Sequence, residues 1–351
     1  MDFDSKKFSL GPGERCIIIG EIGVNHNNDE SLLFKLIDEG SKAGIDIVKL
    51  QRFKASEEIA ETAPSTQYQK NAGMGESQLK MAQKLELSDQ LLIKAHKYCR
   101  KIGIGFLCTA FDHESANFVA DTLGCKSVKV PSPEISNKPL IQHMAQKFES
   151  LIVSTGASDL SEVARALNWI DEIGHRDVAL MHCTSQYPAP IDQANLKAIK
   201  MMQSAFNLPI GYSDHTIGII AGVVSASFGA SMIEKHYTLD KQLPGPDHKA
   251  SANIEELKNL VQAIADVTVS LGDGVKRPVS AEKENIPLIR KSFTCAAEKL
   301  EAGSIISREM LGIKRPRIDG AVEPFDLEKI IGLKINKRKS FDEPIMWSDF
   351  Q

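Results

Sequence analysis

An eight-stranded α/β barrel followed by a small second domain is the fold this sequence predicts, on three observations. Eight short β-branched runs alternate with longer amphipathic stretches between Cys16 and Tyr237, the rhythm of parallel strands covered by helices. No G-x-G-x-x-G follows the first run, which weakens a dinucleotide-binding open sheet as the rival. The composition changes near Leu271, where GDGVKRPVSAEKENIPLIRKS is rich in charge and turn residues. A length of 351 residues suits a barrel of about 250 residues with a small partner.

Taken in order, the strand candidates are CIIIGEIG from Cys16, DIVKLQRF from Asp46, IGFLCTAF from Ile104 and SVKVPS from Ser127. LIVSTG from Leu151, VALMHCT from Val178, PIGYSDH from Pro209 and SMIEKHY from Ser231 complete the set. Helical segments fall between them. DESLLFKLIDEGSKAG carries Leu32, Leu33, Leu36 and Ile37 on one stripe, with Gly40 and Gly44 near its end. SDLSEVARALNWIDEIG opens on Ser158-Asp159 with Glu162 close behind, a capping-box start. The long irregular stretch after the second strand, from Lys54 to Ser88, is expected on the catalytic face as a substrate-covering loop. The barrel domain is assigned to residues 1–280, a linker to 281–290 and the second domain to 291–351. That last piece reads as short strands and one-turn helices, a core small enough to gain by docking on something.

Composition excludes several classes. With 42 Lys and Arg against 46 Asp and Glu, and no basic block, nucleic acid is not the expected partner. No apolar run of about 18 residues exists, so no membrane span is expected. MDFDSKKFSLGPGER has no apolar core ahead of a cleavage site, and a cytoplasmic location is expected. Cys16, Cys99, Cys108, Cys125, Cys183 and Cys295 form no Cys-x-x-Cys pair and read as buried small hydrophobes.

Buried parallel strands should be almost wholly apolar, and these strands end in polar residues instead. The first ends with Glu21, then Asn25 and His26, and the second carries Lys49 and Gln51 on one face. Thr109 ends the third; Lys129, Ser132 and Glu134 follow the fourth; Ser154 and Thr155 the fifth. Thr184, Ser185 and Tyr187 end the sixth, Ser213-Asp214-His215 the seventh, and Glu234 and His236 the eighth. Barrel active sites are built at that end. Lys49 and Lys129 beside Thr109, Ser132, Ser154 and Ser213 suit a phosphate, since cations supply charge and hydroxyls supply donors. His215 and His236 could place two imidazoles on one divalent ion such as Mn²⁺ or Zn²⁺. Glu21, Glu134, Glu234 and Asp247 are available as bases, as partners to metal ligands or as hydroxyl anchors. A metal polarising a carbonyl next to a phosphate ester points to aldol-type carbon–carbon bond formation or to phosphoryl chemistry. The turn-rich LPGPDHKAS is read as a loop presenting Asp247, His248, Lys249 and Ser251 over the mouth.

In these motifs the chain resembles the sialic acid synthase family, the phosphoenolpyruvate-dependent nonulosonate synthases. EIGVNHN, VKLQ, KVPSPEISN, STG, HCTSQYPAP, GYSDHT, IEKHYTLD and PGPDHKAS carry the resemblance in order, and it covers essentially the whole chain. The C-terminal part, with KRP at Lys314 to Pro316, is similar to that family's antifreeze-like (SAF) domain. The resemblance implies condensation of phosphoenolpyruvate with an open-chain N-acetylmannosamine-type sugar, with phosphate released by C–O cleavage. It implies that Lys49, Thr109, Lys129, Ser132, Ser154, Ser185 and Ser213 bind phosphoenolpyruvate. His215 and His236 would hold a divalent ion, Mn²⁺ first, and Glu21, Glu134 or Glu234 would carry protons. Gln51, Tyr187 and Asp247 would contact the sugar. In a domain-swapped homodimer, Arg315 would reach the sugar bound by the other subunit.

Two stretches depart from the pattern. Some members have Gly-Ser-Gly-Glu where this chain has Pro131-Ser132-Pro133-Glu134, and some carry Asn where it has Ser185. The product the resemblance implies is N-acetylneuraminic acid, or N,N'-diacetyllegionaminic acid if the sugar is 2,4-diacetamido-2,4,6-trideoxymannose. Thr66-Gln67-Tyr68-Gln69 and Glu76-Ser77-Gln78 lean towards the legionaminate type. A synthase of the 3-deoxy-octulosonate phosphate type is the enzymatic rival, and the antifreeze-like tail argues against it.

Overall fold

The computed structural model describes residues 1–4, 6–11, 13–63, 78–175 and 177–350. Residues 66–69, 76 and 77, on which the legionaminate leaning rests, lie outside them.

Each of the eight runs forms a strand: β1 (Ile17–Gly23), β2 (Ile47–Arg52), β3 (Gly105–Ala110) and β4 (Ser127–Val130). β5 (Ser150–Ser154), β6 (Val178–Cys183), β7 (Ile210–Asp214) and β8 (Met232–His236) follow. Neighbours pair in parallel, and β8 returns to β1 with Ile233 beside Ile18 and His236 beside Glu21, closing the barrel. Strands alternate their faces with a period of two, so one residue in two enters the barrel. Ile17, Ile19, Ile47, Leu107, Ile152, Ala179, Met181 and Met232 make the interior apolar at the strands' N-terminal ends. One or two steps along the same faces come Glu21, Lys49, Thr109, Lys129, Ser154, Cys183, Ser213 and Glu234. The opposite face, with Val48, Leu50, Phe106, Val128, Leu151, Leu180 and Ile233, packs under the helices.

The helices start and stop where their capping chemistry directs. In α1 (Glu30–Ala43) the Asp29 side chain accepts from Leu32 N–H, and Gly44 ends the helix at a left-handed φ of 91°. Two short helices, α2 (Ala55–Glu58) and α3 (Gln78–Leu85), flank the undescribed part of the insertion after β2. α4 (Asp89–Ile102) covers β3, and α5 (Leu160–Glu172) begins with the full Asp159–Glu162 capping box.

The N-terminal end of the barrel is plugged by a hairpin, Asp2–Phe3 against Lys6–Lys7, whose Phe3 is fully buried in the interior apolar layer. Asp4 Oδ2 lies 2.5 Å from His96 Nε2 on α4, tying the hairpin down. Cys125 joins that pair, so three potential metal-ligand atoms lie within 4.8 Å of one another, at the end of the barrel away from the strand C-termini.

The chain divides into two compact units at Gly272–Asp273, beside the composition change near Leu271 and ahead of the assigned bound at 280. In the second unit Ser292–Cys295 pairs with Leu311–Lys314 and Lys299–Leu300 with Lys339–Ser340, all antiparallel. Phe293, Cys295, Leu300, Ile306, Val322, Ile330, Ile335 and Ile345 form its core, and the buried Lys339–Asp349 ion pair of 2.7 Å braces it. Among the described residues no helix is long and apolar enough to cross a membrane.

Phe3→Ala should cost about 3–5 kcal/mol, the usual price of deleting a buried aromatic ring. Urea unfolding measures it, and a loss below about 1 kcal/mol would show that the hairpin is no part of the barrel core.

Candidate active site

At the C-terminal ends of the strands lies a cavity of about 370 Å³ whose floor is four charged side chains. Glu21, Lys49, Lys129 and Glu234 are all at most 4% exposed, so their charges must be met by one another. Lys129 Nζ donates to Glu234 Oε1 and Oε2 at 2.8 and 2.7 Å. Lys49 Nζ donates to Thr109 Oγ1 at 2.8 Å and lies 2.9 Å from Glu21 Oε2 and 3.6 Å from Glu234 Oε1. Gln51 Nε2 donates to Glu21 Oε1 at 2.7 Å, and Ser213 Oγ to Glu234 Oε1 at 3.0 Å.

The two carboxyls are driven apart. Burial and the nearby Glu234 charge push Glu21 up, and Lys49 only partly opposes them. Burial would raise Glu234 as well, but Lys129 and Lys49 outweigh it and hold this carboxylate well below its usual range. Burial lowers Lys129, and its neighbour Lys49 adds to that, whereas the two glutamates overcome burial at Lys49 and raise it. Burial thus raises the proton affinity of one carboxyl beside another that its two lysines fix as an anion.

Beside this floor stand three rings. His215 and His236 have centroids 5.8 Å apart, and Tyr187 lies 4.1 Å from His215 and 5.6 Å from His236. Thr184 carbonyl accepts from His215 Nδ1 at 2.7 Å, which fixes the tautomer and leaves the Nε2 lone pair facing Ser213 Oγ at 3.2 Å. Burial takes His215 down to about 4, and burial together with His215 takes His236 well below the ordinary range. His236 Nδ1 is buried without a hydrogen-bond partner, 3.7 Å from Asp247 Oδ2. Two neutral imidazoles, one with an orphaned nitrogen beside a carboxyl group, form a donor set that fits a divalent ion.

Asp247 reaches the cavity because its loop is anchored from below. Asn25 Nδ2 donates to Tyr237 O at 2.9 Å and to Ser251 Oγ at 2.8 Å, while Asn27 Nδ2 donates to Pro244 O at 2.8 Å. His248 Nδ1 sits 2.7 Å from Thr238 Oγ1. The expectation that four residues of LPGPDHKAS face the mouth is therefore corrected: Asp247 lines the cavity, His248 and Ser251 are buried anchors, and Lys249 is exposed.

On the β4–β6 side hydroxyls gather round a glycine. Ser132, Ser154, Cys183 and Ser185 line the cavity, and Ser132 Oγ accepts from Gly156 N–H at 3.0 Å. A Cβ on Gly156 would collide with Ser185 Oγ, Cys183 Sγ and Ser132 Oγ, so only glycine leaves this cradle open. Pro133 lies in the first turn of the short 3₁₀ helix Ser132–Ser136, where a backbone N–H is dispensable.

The cavity unites Glu21, Lys49, Gln51, Thr109, Lys129, Ser132, Ser154, Ser185, Tyr187, Ser213, His215, Glu234, His236 and Asp247. Glu134 lines an adjoining cleft with Asp112 and Glu114 and accepts from Asn137 Nδ2 at 2.6 Å; Glu58 borders both spaces. Arg315 is exposed in the second unit, just past Leu311–Lys314. The sequence reading missed Cys183, Phe53 and Phe111 in the lining. A signal existed, since Phe53 continues the inward series of Lys49 and Gln51, and Phe111 that of Thr109. Met81 and Leu85, on a helix of the insertion, carried no such signal.

The sequence pattern of the NeuB family matches residues 36–276 and that of the SAF domain residues 295–351. The N,N'-diacetyllegionaminic acid synthase of Legionella pneumophila is 40% identical, over 97% of this chain and 96% of its own. Its counterpart from Campylobacter jejuni is 41% identical over 95% and 99%. The crystal structure of N-acetylneuraminic acid (sialic acid) synthetase from Leptospira borgpetersenii in complex with citrate is similar at a TM-score of 0.70 and 30% identity, covering 80% of this chain and 95% of that one. With the family pattern spanning most of the barrel and full-length relatives at such identity, the chain belongs to the NeuB family, as a synthase of the nonulosonate class ending in a SAF domain.

Proposed function

We propose that the cavity condenses phosphoenolpyruvate with the open-chain form of an N-acetylated mannosamine-type sugar, forming a nonulosonic acid and releasing phosphate. The observation that carries this reading is the buried quartet Glu21–Lys49–Lys129–Glu234 lying between a hydroxyl-lined cradle and two neutral imidazoles. Of the two sugars, 2,4-diacetamido-2,4,6-trideoxymannose is taken first, because relatives at 40–41% identity are legionaminic acid synthases. N-Acetylmannosamine is second, on the 30% likeness to the sialic acid synthetase.

In this reading Lys49 and Lys129 neutralise the phosphoenolpyruvate charges, and Thr109, Ser132, Ser154, Ser185 and Ser213 supply hydroxyl donors. Gln51, Tyr187 and Asp247 orient the sugar, so that C3 of phosphoenolpyruvate faces the aldehyde carbon. As C3 attacks and water adds at C2, the Glu21 carboxylate takes a proton from that water and passes it to the former aldehyde oxygen. Phosphate then leaves C2 with C–O cleavage and carries off the C2 hydroxyl proton as the ketone forms. Glu234, fixed as an anion, holds both ammonium groups in place. Glu134, in the adjoining cleft, is assigned to the sugar's hydroxyls.

His215 and His236 would hold the divalent ion, Mn²⁺ first, with Asp247 beside them. Bound there, it would supply Lewis-acid polarisation of the aldehyde. The second unit has Phe325 91% exposed and Phe341 58% exposed, which supports a SAF domain that docks on a partner chain. In the proposed domain-swapped dimer, Arg315 touches the sugar held by the other subunit. Phosphoenolpyruvate chemistry supports a cytoplasmic location.

Phosphate release from phosphoenolpyruvate with Mn²⁺ should require one of the two sugars, and release with neither would refute the reaction. His236→Ala should lose both metal binding, read by calorimetry, and turnover; activity that survives chelation would remove the metal from the mechanism. Arg315→Ala should raise KM for the sugar about 10- to 100-fold, as for a lost charged hydrogen bond, and leave KM for phosphoenolpyruvate in place. Equal effects on both would refute its sugar contact.

A further inference from the structure

We infer that the β1–β3 side of the cavity is an apolar subsite that selects a 6-deoxy, doubly N-acetylated sugar over N-acetylmannosamine. The inference rests on the condensation proposed above and assigns the selection to residues with no part in the chemistry.

The strand ends themselves are polar: β1 to β3 bring Glu21, Lys49, Gln51 and Thr109, β4 to β6 bring Lys129 and further hydroxyls, and β7 and β8 bring Ser213, Glu234 and the imidazoles. The apolar wall begins one step beyond the first three strands, where Val24, Phe53 and Phe111 follow β1, β2 and β3, and α3 adds Met81, Ala82 and Leu85. This wall is fixed by its own packing: Val24, Phe53, Met81 and Leu85 form one buried cluster with Ala55. The Phe53 and Phe111 rings meet edge to face with centroids 5.9 Å apart. Ala55 N–H donates to Glu86 Oε1 at 2.9 Å, closing one end of the insertion against the other.

A hydroxyl pressed against such a wall loses water and gains no partner, which costs about 1–3 kcal/mol, whereas a methyl group gains from the same burial. N-Acetylmannosamine must place hydroxyls at C4 and C6. The 2,4-diacetamido-2,4,6-trideoxy sugar offers a methyl at C6 and an acetamido group at C4, and so buries two methyls. The amide N–H and C=O still need polar partners, and Glu58 and Gln78 stand on the same wall. Burial and the charge of Glu134 push the Glu58 carboxyl up to about 7, so near neutrality it can both donate to an amide oxygen and accept from an amide N–H.

The test compares kcat/KM for the two sugars in the Mn²⁺-loaded full-length enzyme and in three variants. The wild type should prefer the deoxy sugar by about 10- to 100-fold, the range an apolar pocket can provide against an added hydroxyl. Met81→Gln should cut that preference at least tenfold, through KM for the deoxy sugar, with KM for phosphoenolpyruvate unchanged. Met81→Leu, apolar and close in volume, should keep it. Ala82→Ser adds one hydroxyl to the wall without emptying the core, and should lower the preference even if Met81→Gln does not fold. A wild type that prefers N-acetylmannosamine, or a preference unmoved by Met81→Gln or Ala82→Ser, overturns the subsite and leaves the reaction standing. Turnover of neither sugar overturns both.

Discussion

Four charges inside a barrel constrain everything built around them. Glu21, Lys49, Lys129 and Glu234 stand on β1, β2, β4 and β8, and none of them has water to fall back on. A buried unpaired ion costs several kcal/mol, so the quartet survives only if every strand register holds. Closure of β8 on β1 sets Glu234 two residues below the His236–Glu21 pair, and Glu21 stands beside Lys49 across the β1–β2 ladder. A slip of one residue would turn every one of these side chains into the helix layer. A second, outward-facing ion pair opposes such a slip: Lys235 meets Asp214 Oδ2 at 2.9 Å and donates to Thr216 O at 2.5 Å, locking β7 to β8 from the other face.

The same alternation explains what could be read from the amino acids alone. Inward positions run from apolar to polar along several strands, as in Ile17, Ile19, Glu21 or Met232, Glu234, His236, and that gradient is visible without coordinates. It marks the barrel, the mouth and most cavity-lining residues together. Residues off the strands escape it. Nothing local separates Asp247, which meets the cavity, from His248, which turns away to Thr238, because Asn25 and Asn27 on the far side of the closure decide that loop's path. Glu134 follows the same logic: a residue after the strand, carried by a 3₁₀ turn into the neighbouring cleft. The apolar lining from the insertion depends on packing between segments distant in the chain, Val24 and Phe53 against Met81 and Leu85.

The two ends of the barrel divide stability from chemistry. The N-terminal end is filled by aliphatic layers and stoppered by Phe3, with the Asp4–His96 contact outside it. Burial there is repaid by the hydrophobic effect, which needs no exact geometry. The mouth is the reverse case, with buried charges met by ion pairs and His236 Nδ1 buried without a hydrogen-bond partner. An unpartnered buried nitrogen costs free energy that a group placed beside it would recover. A mouth built this way draws its stability from the inert lower half.

Chemistry and selectivity also occupy different elements. The charged floor lies on strands whose registers depend on one another, so a change there is felt around the ring. Half of the apolar wall, Met81, Ala82 and Leu85, lies on α3 of the insertion, and Met81 and Leu85 pack with Val24 and Phe53, which directly follow β1 and β2. In the proposed subsite, exchanging Met81 or Ala82 would alter what the sugar meets while leaving Lys49, Lys129 and both glutamates as they are. Barrel folds diversify by this route, since loops can be rebuilt over an unchanged set of strand ends. For this chain the consequence is quantitative: discrimination set by an apolar wall is confined to about a hundredfold, because such a wall can only withhold partners from a hydroxyl and cannot repel it. Any sharper choice between the two sugars has to come from directed hydrogen bonds, and on this wall Glu58 and Gln78 are the side chains placed to make them.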